Sequence, residues 1–250
     1  MDHTTSPRRT LFSHTIYSAH LRDERTIKIY RPNVPDDALP LPILYCQDGI
    51  EFFMYGRIAT IAKALASQQQ IPPIVIAGIE KSSRFRNEEY MPNGVRNGGY
   101  LRFFYEEAIP FIEENYLGHH EQGFVQERYL AGVSLGATVS MQMALLSPEK
   151  FSRLLLFSGA FYRELAPLLD QVERLFPLSV YLTVGEQETE VDTPLGASNF
   201  LADNLWMKSQ LEKKEALGSF QMKEGKHTWG FWQKEVPEAL QWLTSQSKAR

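Results

Sequence analysis

Residues 128–137 read Arg128-Tyr129-Leu130-Ala131-Gly132-Val133-Ser134-Leu135-Gly136-Ala137. The apolar run from Arg128 to Ala131 reads as a buried strand, and it leads into Gly132-Val133-Ser134-Leu135-Gly136, the G-x-S-x-G spacing of a nucleophile elbow. Beyond it, Ala137, Val139, Met141, Met143, Ala144 and Leu145 continue to Pro148 as a helix with few polar positions. The pentapeptide alone is a common string that also fits a plain turn. Strand, turn and helix in succession are what give it meaning. A serine at the tip of so sharp a turn is strained. The two glycines leave room where a Cβ would strike the strand and helix on either side. The N-terminus of the following helix then aims backbone N–H groups at developing negative charge.

The pattern outward from the elbow is that of a layered α/β fold. Leu11 to Ser18 and Arg25 to Tyr30 alternate, as an antiparallel edge hairpin does. Continuous apolar runs follow at Leu41 to Cys46, Pro73 to Ile79, Arg128 to Val133, Arg153 to Phe157 and Leu178 to Val184, with a last strand expected within Ser219 to Lys223. Runs of this kind belong to a mostly parallel central sheet covered by helices on both faces. The segment 99–117 carries Leu101, Phe104, Ala108, Ile112 and Tyr116 on one helical stripe, with a kink or break expected at Pro110. Ser198 to Leu217 reads as a helix capped by Gly218, and Trp232 to Ser245 as the terminal helix. The element order is compatible with the topology of an α/β-hydrolase, and residues 1–250 are expected to form one domain of that fold.

Composition narrows the class. The chain has 250 residues, 43% hydrophobic and 22% charged, enough for one sizeable core. Its net charge is −4 with acids and bases interspersed, so no nucleic-acid partner is expected. No run reaches the ~18 apolar residues of a membrane span, and Met1 to Arg9 lacks an apolar leader segment. A cytoplasmic enzyme without membrane contact is expected. The single cysteine, Cys46, sits in an apolar run and reads as a buried, inert thiol.

A serine hydroxyl needs a base, and in this fold the chain order is serine, acid, histidine. Of the six histidines, His3, His14, His20, His119 and His120 precede Ser134, and only His227 follows it. His227 lies in Glu224-Gly225-Lys226-His227-Thr228-Trp229, between the last strand and the last helix. The pair His119 and His120 reads as a solvated turn. The acid is expected after the strand ending at Val184, in a loop that holds Glu186, Glu188, Glu190 and Asp192. Glu188 is preferred, three residues past Gly185, with Glu186 next. That loop lacks the punctuation of a cation site, and neither metal nor cofactor is expected. One oxyanion donor should be the Leu135 N–H, and the other should come from Gln47-Asp48-Gly49-Ile50. Phe52, Phe53, Tyr55, Phe161, Tyr162, Trp229 and Trp232 lie near the site and either line an acyl pocket or pack the core. Phe52, Phe161 and Trp229 are the pocket candidates.

Several stretches resemble, in order, one esterase family of α/β-hydrolases: enterochelin esterases, esterase D (S-formylglutathione hydrolase), feruloyl esterase modules and mycolyltransferases. They are Pro42 to Gly49, Ile74 to Ile79 with Arg86 to Pro92, Glu107 to Tyr116, Arg128 to Tyr162, and His227-Thr228-Trp229-Gly230-Phe231-Trp232. The likeness runs over roughly residues 12 to 243, and its helix motif includes Pro110. It implies a serine carboxylic-ester hydrolase acting on a small-molecule ester through an acyl-enzyme on Ser134. His227 would be the base, Glu188 would orient it, and Ile50 would be the second oxyanion donor. Ala137 stands where family members often carry glycine. No counterpart of the N-terminal domain of full-length enterochelin esterases is expected, so siderophore specificity does not carry over. An acyltransferase using the same nucleophile, or a non-catalytic binding protein on the same fold, are the alternatives. Oligomeric state is left open.

Overall fold

The computed structural model describes residues 10–35, 41–117, 127–161, 163–194 and 196–245. His3, His119, His120 and Tyr162 lie outside the described residues. The strands are β1 (Leu11–Ser18), β2 (Asp23–Tyr30), β3 (Ile43–Cys46), β4 (Val75–Ile79), β5 (Arg128–Val133), β6 (Arg153–Phe157), β7 (Ser179–Gly185), β8 (Val191–Thr193), β9 (Gly196–Ser198) and β10 (Leu217–Lys223). Eight of them form one sheet in the order β1-β2-β4-β3-β5-β6-β7-β10. β1 pairs antiparallel with β2, and β2 antiparallel with β4. From β4 to β10 every pairing is parallel. β8 and β9 make a separate small hairpin that sequence periodicity does not announce. This is the expected mostly parallel sheet with an antiparallel N-terminal edge.

The continuous apolar runs have a simple cause. Alternate strand residues face opposite sides, and both sides are covered. Ile43, Tyr45, Val75, Ala77, Leu130, Leu154, Leu156, Val180 and Leu182 face one core layer. Leu44, Cys46, Ile76, Tyr129, Ala131, Leu155, Phe157 and Tyr181 face the other. The first layer is covered by α4 (Asn97–Arg102), α5 (Ile109–Tyr116), α6 (Leu135–Leu146) and α8 (Phe200–Lys213). The second is covered by α2 (Ile58–Ser67) and α9 (Trp229–Thr244). Cys46 is fully buried, which pushes its thiol pKa up and keeps it protonated. Among the described residues no helix is long and apolar enough to cross a membrane.

The expected interruption at Pro110 is present, and two other expectations need correction. The helical run continues through Pro110, but its α-helical turns are interrupted directly before it. The turn before it, Phe103–Ala108, is π-helical, and Pro110 falls in the first turn of α5. A proline there has no N–H to leave unpaired, and the wider turn absorbs its ring. Gly218 is not a helix cap. α8 ends at Lys213, and Gly218 is the second residue of β10. A Cβ on Gly218 would lie 2.3 Å from the Trp242 ring and 2.3 Å from Ser179 Oγ, so packing demands the glycine. The terminal helix also begins three residues before Trp232, at Trp229.

The remaining helices are α1 (Gly49–Met54), α3 (Arg86–Tyr90) and α7 (Ala166–Asp170). The carboxyl ends of β3, β5 and β7 share one edge of the parallel sheet, where open α/β sheets place their ligands. Asp48, Ser134 and Glu188 follow those three ends.

Candidate active site

Between β5 and α6, Ser134 has φ 55° and ψ −123°, a strained backbone for a residue with a Cβ. Its N–H donates to the carbonyl of Phe157 (2.9 Å), and its carbonyl accepts from Ala137 (3.0 Å) and Ala160 (3.1 Å). The turn is therefore tied on both sides. The two glycines meet the steric demand read from sequence. A Cβ on Gly132 would lie 2.1 Å from the Gly136 carbonyl oxygen, and one on Gly136 would lie 2.7 Å from Asp48 Oδ2.

His227 sits in the loop before α9. Its Nε2 lies 3.0 Å from Ser134 Oγ, and its Nδ1 lies 2.6 Å from Oε2 of Glu188. Two rings hold the imidazole. Phe200, the first residue of α8, stacks at 3.9 Å with a 29° interplanar angle. Trp232 meets it edge-on at 4.9 Å and 88°.

Of the four acids in the loop after β7, Glu188 alone is buried, while Glu186, Glu190 and Asp192 are exposed. The Glu188 carboxylate is fully engaged. Oε2 faces His227, and Oε1 accepts from Ser158 Oγ (2.7 Å) and from the Gly185 N–H (2.8 Å). Ser158 is itself fully buried at φ 44° and takes a hydrogen bond from Trp232 Nε1 at 2.8 Å. One line of contacts thus runs Trp232, Ser158, Glu188, His227, Ser134. Sequence reasoning missed Ser158 and Phe200. The available signal for Ser158 was a hydroxyl placed directly after the apolar strand β6.

Leu135 opens α6 and Ile50 is the second residue of α1. Amides in a first helical turn have no acceptor within their helix. Asp48, in the left-handed conformation at φ 53°, turns the chain into α1 and lies against Gly136, beside the elbow. Its carboxylate is clamped by Arg86, Oδ1 to Nε at 2.7 Å and Oδ2 to Nη2 at 2.6 Å. Burial opposes the Arg86 charge, but the Asp48 carboxylate outweighs it and moves the pKa up. Next to this pair, Lys81 is ion-paired with Glu51.

Two clefts meet at Ser134 and His227, and Arg86 lines both. One, of about 230 Å³, is walled by Asp48, Glu51, Lys81, Trp229 and Trp232. The other, of about 180 Å³, is walled by Leu135, Asp192, Thr193, Pro194 and Phe200. Among the aromatic pocket candidates, Trp229 lines the first cleft. Phe52 and Phe161 lie in the core instead. Phe52 packs edge-on against Trp229 and Phe157, and the Phe161 ring fills the space a Cβ on Gly159 would take.

The family model described as "Putative esterase" matches residues 18–243. The uncharacterized protein YjcH of Bacillus subtilis (strain 168) is 31% identical over 226 residues, covering 90% of this chain and 93% of that one. Among solved structures, a ferulic acid esterase superposes with a TM-score of 0.75 at 16% identity, covering 94% of this chain and 97% of that one. The enterobactin esterase FES from Shigella flexneri superposes at 0.75 with 19% identity, covering 94% of this chain and 59% of that longer one. The fold is thus that of the α/β-hydrolase esterases, and the chain belongs to this esterase family as a carboxylic-ester hydrolase.

Proposed function

We propose that the chain is a serine esterase that works through a covalent acyl-enzyme on Ser134. The observation that carries this reading is the unbroken contact line from Ser134 Oγ through His227 to the buried Glu188, at 3.0 Å and 2.6 Å. A carboxylate can only accept, so His227 Nδ1–H donates to Glu188, and Nε2 is left with its lone pair facing the serine hydroxyl.

His227 takes the proton as Ser134 Oγ attacks the ester carbonyl. The carbonyl oxygen becomes an oxyanion held by the N–H groups of Leu135 and Ile50. Removing one such donor costs about 3 kcal/mol of transition-state stabilisation. His227 then hands its proton to the leaving alkoxide. Water, deprotonated by the same nitrogen, attacks the acyl-enzyme, and Ser134 recovers its proton as the acid departs. Throughout, Glu188 keeps the imidazole in the tautomer that the cycle needs.

The substrate we infer is a small ester bearing an aromatic group. Trp229 and Trp232 on the wall of the 230 Å³ cleft support this, as do the names of two structural relatives, a ferulic acid esterase and an enterobactin esterase.

Labelling with a fluorophosphonate probe tests the mechanism. Ser134 should carry the adduct, and Ser134→Ala should carry none. Folded protein that stays unlabelled at Ser134 sinks the proposal. A panel of aryl and acetyl esters tests the substrate class, with higher kcat/KM expected for the aryl members.

A further inference from the structure

The β1–β2 turn, the segment from Ser82 to Phe85 and the entry to α4 enclose a separate cleft of about 430 Å³. Arg22, Asp23, Ser82, Arg84, Phe85 and Arg96 line it. The Phe85 ring carries two guanidinium groups, Arg96 at 4.3 Å and Arg84 at 4.8 Å from its centroid. Arg96 is fixed further by donation from Nη2 to the carbonyl of Leu21 at 2.9 Å.

Asp23 is the carboxylate on this wall, and it is already engaged. Oδ2 accepts from Arg25 Nη1 at 2.7 Å, and Oδ1 accepts from the Glu24 N–H at 2.9 Å. Behind it, the buried Glu89 is shared between Arg25 at 2.6 Å and Arg96 at 3.5 Å. The guanidinium groups of Arg22, Arg25, Arg84 and Arg96 therefore meet only the two carboxylates of Asp23 and Glu89. The two uncompensated charges fall on Arg22 and Arg84. Both are exposed, and among the described residues neither side chain has an ion pair or hydrogen bond.

We propose that this cleft binds a small dianion, a phosphate monoester or a dicarboxylate, between Arg22, Arg84 and Arg96. Guanidinium forks match both oxyanion types with paired hydrogen bonds. Two negative charges cancel the excess that the cleft carries. The site is distinct from the ester clefts but shares a loop with them. Lys81 and Arg86, which bracket Ser82 to Phe85, face the nucleophile on the other side.

The test is isothermal titration calorimetry on the full chain at fixed ionic strength, with inorganic phosphate in one arm, malonate in another and chloride as the control. Saturable binding of phosphate, malonate or both is expected, in the millimolar range or tighter. Binding by one alone identifies the head group. Arg22→Gln and Arg84→Gln should each weaken it at least tenfold. Both side chains are exposed, and of the two only Arg84 gives up a contact, its place over the Phe85 ring, so Arg22→Gln is the cleaner variant. Arg174→Gln removes one charge from an exposed ion pair with Glu215 elsewhere, and it should leave binding unchanged. Heats that do not saturate for either anion, or an equal loss in Arg174→Gln, overturn the proposal. Binding is read without ester turnover, so the result is independent of the role assigned to Ser134.

Discussion

Ser158 donates its hydroxyl proton to Oε1 of Glu188 across 2.7 Å, and both residues are fully buried. The same hydroxyl oxygen receives Trp232 Nε1–H. The carboxylate that faces His227 is therefore held by a residue that has no exposed surface and lines neither cleft. On the proposed mechanism Ser158 is a positioning residue, and replacing it should lower kcat by about 10- to 100-fold while KM stays within about twofold. Ser158→Gly is the sharper variant. Both variants lose the buried hydroxyl, but at φ 44° glycine relieves backbone strain that alanine keeps, so the thermal midpoint should fall less in Ser158→Gly while kcat falls in both. Steady-state kinetics on both Ser158→Ala and Ser158→Gly decide it. A rise in KM with kcat intact would contradict the assignment.

The acid can be identified among its neighbours. Glu188→Gln keeps the shape but allows the wrong tautomer of His227, so kcat should drop on the order of 10³- to 10⁴-fold. Glu186→Gln, Glu190→Gln and Asp192→Asn alter exposed side chains and should stay within about twofold. A large loss in any of those three, with Glu188→Gln active, reassigns the role.

Ser134 and His227 should fail together. Ser134→Ala and His227→Ala are each expected to cost about 10³-fold or more in kcat, and the double variant should be no slower than the worse single one. Additive losses would mean that the two side chains do not act as a unit.

The elbow glycines differ in what they protect. Alanine at Gly132 meets backbone at 2.1 Å, whereas alanine at Gly136 meets the carboxylate tip of Asp48 at 2.7 Å. Gly132→Ala should destabilise by about 1–3 kcal/mol or more, and Gly136→Ala by less, chiefly by pushing Asp48 off Arg86. Denaturant melts of the two variants give the order, and the reverse order contradicts the steric argument.

At high pH the buried phenols set the limit. Burial raises the pKa of Tyr45, Tyr90 and Tyr100 well above 10, and that of Tyr105 to about 12. The folded state thus keeps protons that the unfolded state releases. This contribution is complete below pH 10 and is lost as pH rises from there through 12 and beyond. Tyrosinate absorbance from these residues should appear together with the loss of the far-ultraviolet helix signal. Ionisation well before unfolding would show that the rings are not enclosed.

The elbow, the strands and His227 were legible because they are local, each a matter of spacing along a few residues. Glu188 stood out from its neighbours by its distance from Gly185, but its burial is a tertiary fact. The roles of Ser158 and Phe200 were hidden for the same reason. The Ser158 partners are 30 and 74 residues away. Gly218 misled because the signal for a helix cap and the signal for a close approach to Trp242 are the same residue type. The π-helical turn before Pro110 carries no pattern of its own.

Phe200 and Trp232 come from the starts of two different helices, yet they close on one imidazole. Phe200 stacked at 3.9 Å opposes tipping of the imidazole toward it more than motion within the ring plane. On the proposed mechanism, in-plane motion would carry Nε2 from the serine oxygen toward a departing alcohol while Nδ1 keeps its carboxylate. Tipping would break both contacts at once. The stacking thus favours one direction of travel for the histidine, the direction along which the proposed mechanism passes its proton.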